Sequence, residues 1–333
     1  MACVIAVVLA VVVGGITRLS ESGLSITEWK PVSGVLPPMT SAAWDTAYQD
    51  FLRIPQAQTV HRGITVAGFK LIYWWEWFHR LLARGVGLVF AVPYIVLLAR
   101  RRIPDGYRVR LAALPVLTLG QGVLGWYMVQ SGLAVRSSVS AYRLTAHLAL
   151  ALGILVVAMW TWVELGPRAC GPRASRAWRG SITAAVSLIG CTVLSGAFVA
   201  GLRGGRIFNT FPLMGGAFVP PGYRMAGSSW WVNAFENAVA AQFHHRVLAL
   251  LSAAVALVLV WRMRVAAAAL PSEAIRAIRV FGAVVVLQAG LGIATLLLVV
   301  PIALAVTHQF VGVMALTAGV VAAQRVWGSA ETY

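Results

Sequence analysis

Eight long apolar runs, separated by polar clusters and two longer loops, constrain this chain more than any other feature. They cover roughly residues 2–17, 74–99, 111–130, 142–163, 181–200, 237–261, 280–298 and 302–324. About 20 mainly apolar residues are needed for a helix to cross a hydrocarbon layer about 30 Å thick, so each run is long enough, or nearly so, to span. The chain therefore reads as an all-α integral membrane protein with eight transmembrane helices. With 59% hydrophobic and only 11% charged residues, a soluble domain is excluded. The first run is short and begins almost at Met1. It has no basic n-region and no clear cleavage site, so it is expected to span rather than to act as a signal peptide.

The formal charge of +17 does not point to nucleic acid. The basic residues, nearly all Arg, sit in short clusters between apolar runs, a topological pattern. Arg100, Arg101, Arg102, Arg108 and Arg110 follow the second run. Arg168, Arg173, Arg176 and Arg179 follow the fourth, and Arg262, Arg264, Arg276 and Arg279 the sixth. These short loops are expected in the cytoplasm, with both termini inside and the chain in the plasma (inner) membrane. The long loops, about 18–73 and 201–236, then face outward. They are rich in Gly, Pro and Trp and are expected to be ordered caps.

The chain repeats itself. EWFHRLLA at 76–83 matches QFHHRVLA at 242–249, QGVLG at 121–125 matches QAGLG at 288–292, and TAH at 145–147 matches VTH at 306–308. Pro37-Pro38 and Pro220-Pro221 mark equivalent points in the long loops. Matches in one order at similar offsets predict two tandem, similarly oriented four-helix bundles, residues 1–163 and 181–325, as parallel repeats.

The repeat places the histidines. His61 lies in the first long loop and is expected to be solvated. His244 points about 100° away from its neighbour His245 around a helix. His79, His147, His245 and His308 each fall within roughly the first two turns of an even-numbered run, so all four are expected at one depth, paired within each half. Two imidazoles facing each other inside a four-helix bundle suit axial ligation of haem iron. One intramembrane histidine alone would read as an interhelix hydrogen bond. Zinc would want more ligands close together. Cys3, Cys170 and Cys191 are far apart, form no CxxC and read as bystanders.

Arg80 and Arg246 directly follow two of these histidines. They suit the anionic propionates of haem, or they snorkel to the interface. The halves differ at Glu76, whose counterpart is Gln242. Glu76 shares a helical face with His79, and an ionisable carboxyl at membrane depth is costly and usually functional. Gln cannot exchange a proton at ordinary pH, so the first half is the candidate for chemistry and the second for a permanent haem. The structural alternative is an ion pair of Glu76 with Arg80, four residues on.

Four stretches carry a family resemblance. They are GGITRLSESGLSITEWKPVSGVLPP at 14–38, FKLIYWWEWFHR at 69–80, QFHHR at 242–246, and His308 with Gln309. In these, and over nearly its whole length, the chain resembles the haem A synthase family of the proteobacterial and mitochondrial type. The resemblance implies an oxidoreductase of eight transmembrane helices that oxidises a ring methyl of haem O to a formyl group, giving haem A for cytochrome oxidase. It implies that His79 and His147 contact the substrate haem in the first half, with Glu76 the carboxylate needed for turnover. It implies that His245 and His308 ligate a haem B in the second half. The paired loop cysteines of many Gram-positive members are missing.

Methyl oxidation needs an open position at iron, so one of His79 and His147 is expected to be displaceable, and Glu76 to accept or relay a proton. No flavin, nicotinamide or iron–sulfur fingerprint is present, so an external electron donor is expected. Haem O synthase and cytochrome oxidase assembly proteins are the partners such a reaction would call for, and a homo-oligomer stays open. Two other classes remain. One is a di-haem membrane cytochrome exchanging electrons with quinone, the other a haem carrier. Tyr73, Trp74 and Trp75 read as an interfacial aromatic belt, Gly120, Gly122 and Gly125 as close helix packing, and Gly204-Gly205-Arg206 as a plain loop.

Overall fold

The structure is a computed structural model that describes residues 1–133, 137–167 and 169–328. Arg168, one of the arginines used above to assign topology, lies outside the described residues. Eight helices are long and apolar enough to cross a membrane: α1 (Ala2–Leu19), α4 (Val66–Ala99), α5 (Arg108–Leu133), α6 (Ala141–Glu164), α7 (Arg176–Gly201), α9 (Ala238–Val265), α10 (Ser272–Leu297) and α11 (Ile302–Trp327). Three shorter helices, α2 (Ser41–Leu52), α3 (Pro55–Thr59) and α8 (Trp230–Glu236), lie in the two long loops. Among the described residues there is no strand, and Met214 and Ala217 form an isolated bridge. Large apolar side chains such as Leu88, Leu119, Val123, Leu257 and Leu287 are exposed along the spans, as contact with lipid requires.

By contacts the chain divides into two units, Ala2–Ile154 and the residues from Leu155 on, with the division inside α6. In the first unit α1 and α5 pack on α4. Its long loop has a core of its own: Leu24, Phe51, Ile54 and Ala57 close on Phe69, Ile72 and Tyr73 of α4. This explains why α4 starts at Val66, eight residues before the apolar run itself. Phe69, Ile72 and Tyr73 recur at helical spacing, and Thr65 caps the first turn by accepting from Gly68 N at 3.2 Å. At 1.5 Å per residue α4 is about 51 Å long, well beyond a layer of about 30 Å, so its first turns belong to the cap. Tyr73 is accordingly core rather than belt. It is buried, with its ring 4.9 Å from that of Trp44, while Trp74 and Trp75 are exposed as expected.

In the second unit α9 and α11 each pack on both α7 and α10. Small residues let the helices approach: a Cβ on Gly282 would collide with Val260 Cγ2, and one on Gly319 would lie 3.0 Å from Val186 Cγ2. Asn237 starts α9 by accepting from Val239 N at 2.9 Å. Its amide also donates to Gly222 O and Tyr223 O of the preceding loop, at 2.9 and 3.0 Å. Both long loops are thus ordered against the helices that follow them.

Candidate functional site

Four histidines sit in four helices, and each faces a glycine of another helix. A Cβ on Gly125 (α5), Gly196 (α7) or Gly292 (α10) would lie 2.9, 3.0 and 2.9 Å from Cε1 of His147 (α6), His245 (α9) and His308 (α11) respectively. A Cβ on Gly14 (α1) would lie 2.9 Å from Nε2 of His79 (α4). Those distances are below ordinary van der Waals contact, so the glycines are berths for the imidazoles. Of the three glycines assigned above to helix packing, only Gly125 is a close approach. Gly120 has ordinary contact with Leu150, and Gly122 faces open space.

The expected common position along the helices holds for three of the four. His147, His245 and His308 lie six, seven and six residues after their helices start, but His79 lies thirteen after Val66, because the cap extends α4.

In the second half the ring centroids of His245 and His308 are 6.5 Å apart and nearly perpendicular, at 86°. Two metal–nitrogen bonds of about 2 Å each, plus roughly 1 Å from each nitrogen to its ring centre, span about 6 Å, so one six-coordinate metal fits between the rings. His245 Nδ1 is 2.8 Å from Ser195 Oγ and 3.1 Å from Thr192 O. Ser195 Oγ already donates to Thr192 O at 2.7 Å, so it accepts from His245 Nδ1–H and leaves Nε2 bare for a metal. Nδ1 of His147 and of His308 is buried without a hydrogen-bond partner. In the first half His79 lies within electrostatic reach of His147. Among the described residues no three His, Cys, Asp or Glu side chains gather around one point, which disfavours the zinc alternative.

Glu76 is only 3% exposed. Its Oε2 accepts from Ser25 Oγ and Ile26 N, both at 2.7 Å, and its Oε1 accepts from Arg80 Nε at 3.0 Å and Nη2 at 2.5 Å. The ion pair with Arg80 therefore exists, but as one part of a clamp on the long loop. Arg80 Nη2 also donates to Ile26 O at 2.7 Å and Nη1 to Glu28 O at 2.9 Å. The second half repeats the clamp. Arg246 Nη2 donates to Phe208 O at 2.6 Å and Nη1 to Thr210 O at 2.7 Å. Gln242 Nε2 joins it, donating to Phe208 O at 3.0 Å, while Gln242 Oε1 is buried without a partner. Gly14 and Gly196, Ile26 and Phe208, and Glu28 and Thr210 share one offset of 182 residues, whereas His79 and His245 differ by 166. The difference is the length of the loop between.

The whole chain agrees with this site. Residues 1–320 match the family described as cytochrome oxidase assembly protein (COX15-CtaA). Proteins named "Heme A synthase" are similar over most of their length. That of Rhizobium meliloti is 46% identical over 303 residues, covering 90% of this chain and 81% of the relative. That of Parvibaculum lavamentivorans is 46% identical over 308 residues, covering 91% and 86%. That of Rhodopseudomonas palustris (strain BisA53) is 41% identical over 327 residues, covering 96% and 88%. The chain belongs to this family. No solved structure matches it.

Other side chains of this COX15-CtaA member differ from the sequence reading. His61 is half-buried rather than solvated: its Nε2 lies 3.1 Å from Glu21 O and its ring packs on Phe51. His244 does turn away from His245 and meets Tyr223 Oη at 3.0 Å, fastening the second long loop. Cys3, Cys170 and Cys191 form no disulfide with one another. Gly204–Arg206 is a short 3₁₀ turn, not a phosphate cradle. Sequence reasoning missed Ser25, Ser195 and the berths Gly14, Gly196 and Gly292. Gly14, Ser25 and Gly292 lay inside quoted motifs, but only packing gives them a task.

Proposed function

We propose that this protein is a haem A synthase, oxidising a ring methyl of haem O to a formyl group and so supplying haem A for cytochrome oxidase. The observation that carries the reading is the exchange of one residue within a shared frame. Both halves have a histidine berthed on glycine and an arginine clamping the loop, but Glu76 stands in the first where Gln242 stands in the second. The relatives named "Heme A synthase" support it.

On this reading residues 1–163 form the substrate half and residues 181–325 the haem B half, arranged as tandem, similarly oriented bundles. His79 and His147 hold haem O, and His245 and His308 hold haem B as a bis-histidine pair. Bound haem supplies the iron at which the oxidant is activated. Glu76 takes or relays the protons released at the methyl, through an Oε atom that must first give up Ser25, Ile26 or Arg80. Arg80 and Arg246 keep the loops closed over the site, and Arg246 Nε, buried without a partner, is the donor a propionate would take. Electrons come from an external donor, with haem O synthase and cytochrome oxidase assembly proteins as partners. The arginine-rich short loops support an orientation with both termini in the cytoplasm, in the plasma membrane on this reading.

Haems extracted from membranes of a host that makes haem O but no haem A test this directly. Expression of the protein should yield haem A, and Glu76→Gln should abolish it. If only unmodified haem is recovered, held tightly by the purified protein, the di-haem cytochrome reading replaces this one.

A further inference from the structure

The two halves differ by a second exchange, at the berth of the histidine. In the second half Ser195 precedes Gly196 and fixes His245 Nδ1 together with the Thr192 carbonyl. One turn earlier Thr192 Oγ1 lies 2.8 Å from Ser252 Oγ, so a polar pair also joins α7 to α9. The offset of 182 that equates Gly14 with Gly196 puts Val13 where Ser195 stands and Ala10 where Thr192 stands. The offset of 166 that equates His79 with His245 puts Val86 opposite Ser252. All three substitutions are apolar, and Val13 and Val86 are buried. The His79 ring makes no hydrogen bond to any described residue. Its ring is also turned differently: Nε2 meets Gly14, whereas the other three present Cε1 to their glycines.

We infer that Ser195 is a positioning residue that makes His245 a permanent ligand, and that Val13 in its place leaves His79 as the ligand that yields in the substrate half. The inference rests on the haem assignments proposed above. A hydrogen bond at Nδ1 fixes the tautomer with Nε2 bare, holds the ring plane and raises the basicity of the ligating nitrogen. An imidazole with no such bond adopts either tautomer and rotates against an apolar wall. In the same half the Gln121 amide donates to the His147 carbonyl at 3.0 Å and lies 3.3 Å from His147 Nε2, a polar contact that the His79 ring does not have.

The test uses the purified full chain with its resident haem. Ser195→Val, which copies the first half, and Ser195→Ala should both raise the midpoint potential of that haem, because a less basic ligand stabilises the ferric state less. Ser195→Thr, which keeps the hydroxyl, should restore the wild-type value. In the reciprocal arm, protein loaded with haem O is mixed with apomyoglobin, and the haems transferred are identified by chromatography. Val13→Ser should slow haem O release several-fold relative to Val13→Ala, with haem B release unchanged. Unchanged potentials in folded Ser195→Val and Ser195→Ala, with haem retained, overturn the inference and leave the haem assignments standing. So does equal haem O release from the two Val13 variants, which decides the matter even if Ser195→Val does not fold. A wild-type protein that carries no haem, or a His245→Ala variant that keeps it, overturns both the inference and the haem assignments beneath it.

Discussion

Around His79 and His245 the two halves of this chain share a clamp and a glycine berth but differ at three matched positions. Around His79 the first half has a carboxylate and its hydroxyl, Glu76 with Ser25, beside an apolar berth at Val13. Around His245 the second half has an amide, Gln242, bonded to the Phe208 carbonyl, with Ile207 at the position of Ser25, beside a hydroxyl berth at Ser195. The hydroxyl stands beside the imidazole in one half and beside the carboxylate in the other, which fits the division of labour proposed above. A buried acid is costly, and of the two matched positions only Glu76 carries one.

Several substitutions break or sharpen this contrast. Glu76→Gln makes the first half resemble the second, and should lower haem A formation by about 100-fold or more, as expected for loss of a general base. The resident haem spectrum should stay as it is. His245→Ala or His308→Ala should remove the resident haem from the purified protein, read as loss of its absorbance per protein, while Glu76→Gln should not. Alanine at the berths separates the halves: overpacking against a ring costs about 1–3 kcal/mol. Gly196→Ala should speed loss of the resident haem, and Gly14→Ala should lower haem A yield with that haem in place. The same phenotype from both would mean that the halves do not act separately. Ser25→Ala removes one donor of about 1.5 kcal/mol from a charged acceptor, so turnover should fall about tenfold with unchanged haem content. Gly122→Ala, in open space, should shift stability by no more than about 0.5 kcal/mol by thermal unfolding, against a clear loss for Gly125→Ala.

The spans were legible because hydrophobic length is a local property of the chain. The likeness of EWFHRLLA to QFHHRVLA was legible because both keep a histidine that berths on glycine and an arginine that clamps a loop. The start of α4 was not legible, because Tyr73 reads as an interfacial aromatic until Leu24 and Phe51 are seen to close on it and on Phe69. His61 was misplaced for the same reason: the Glu21 carbonyl and Phe51 ring that bury it come from elsewhere in the loop.

By itself the sequence determined eight apolar spans, the matching histidine stretches at 76–83 and 242–249 and the oddity of Glu76, since each follows from composition or periodicity over a few turns. Only the tertiary structure decided that Ser25 serves Glu76, 51 residues away, and that Ser195 serves His245, 50 residues away. Those contacts join separate elements across a long loop, and a serine written into a helix or loop carries no mark of the partner that folding brings to it.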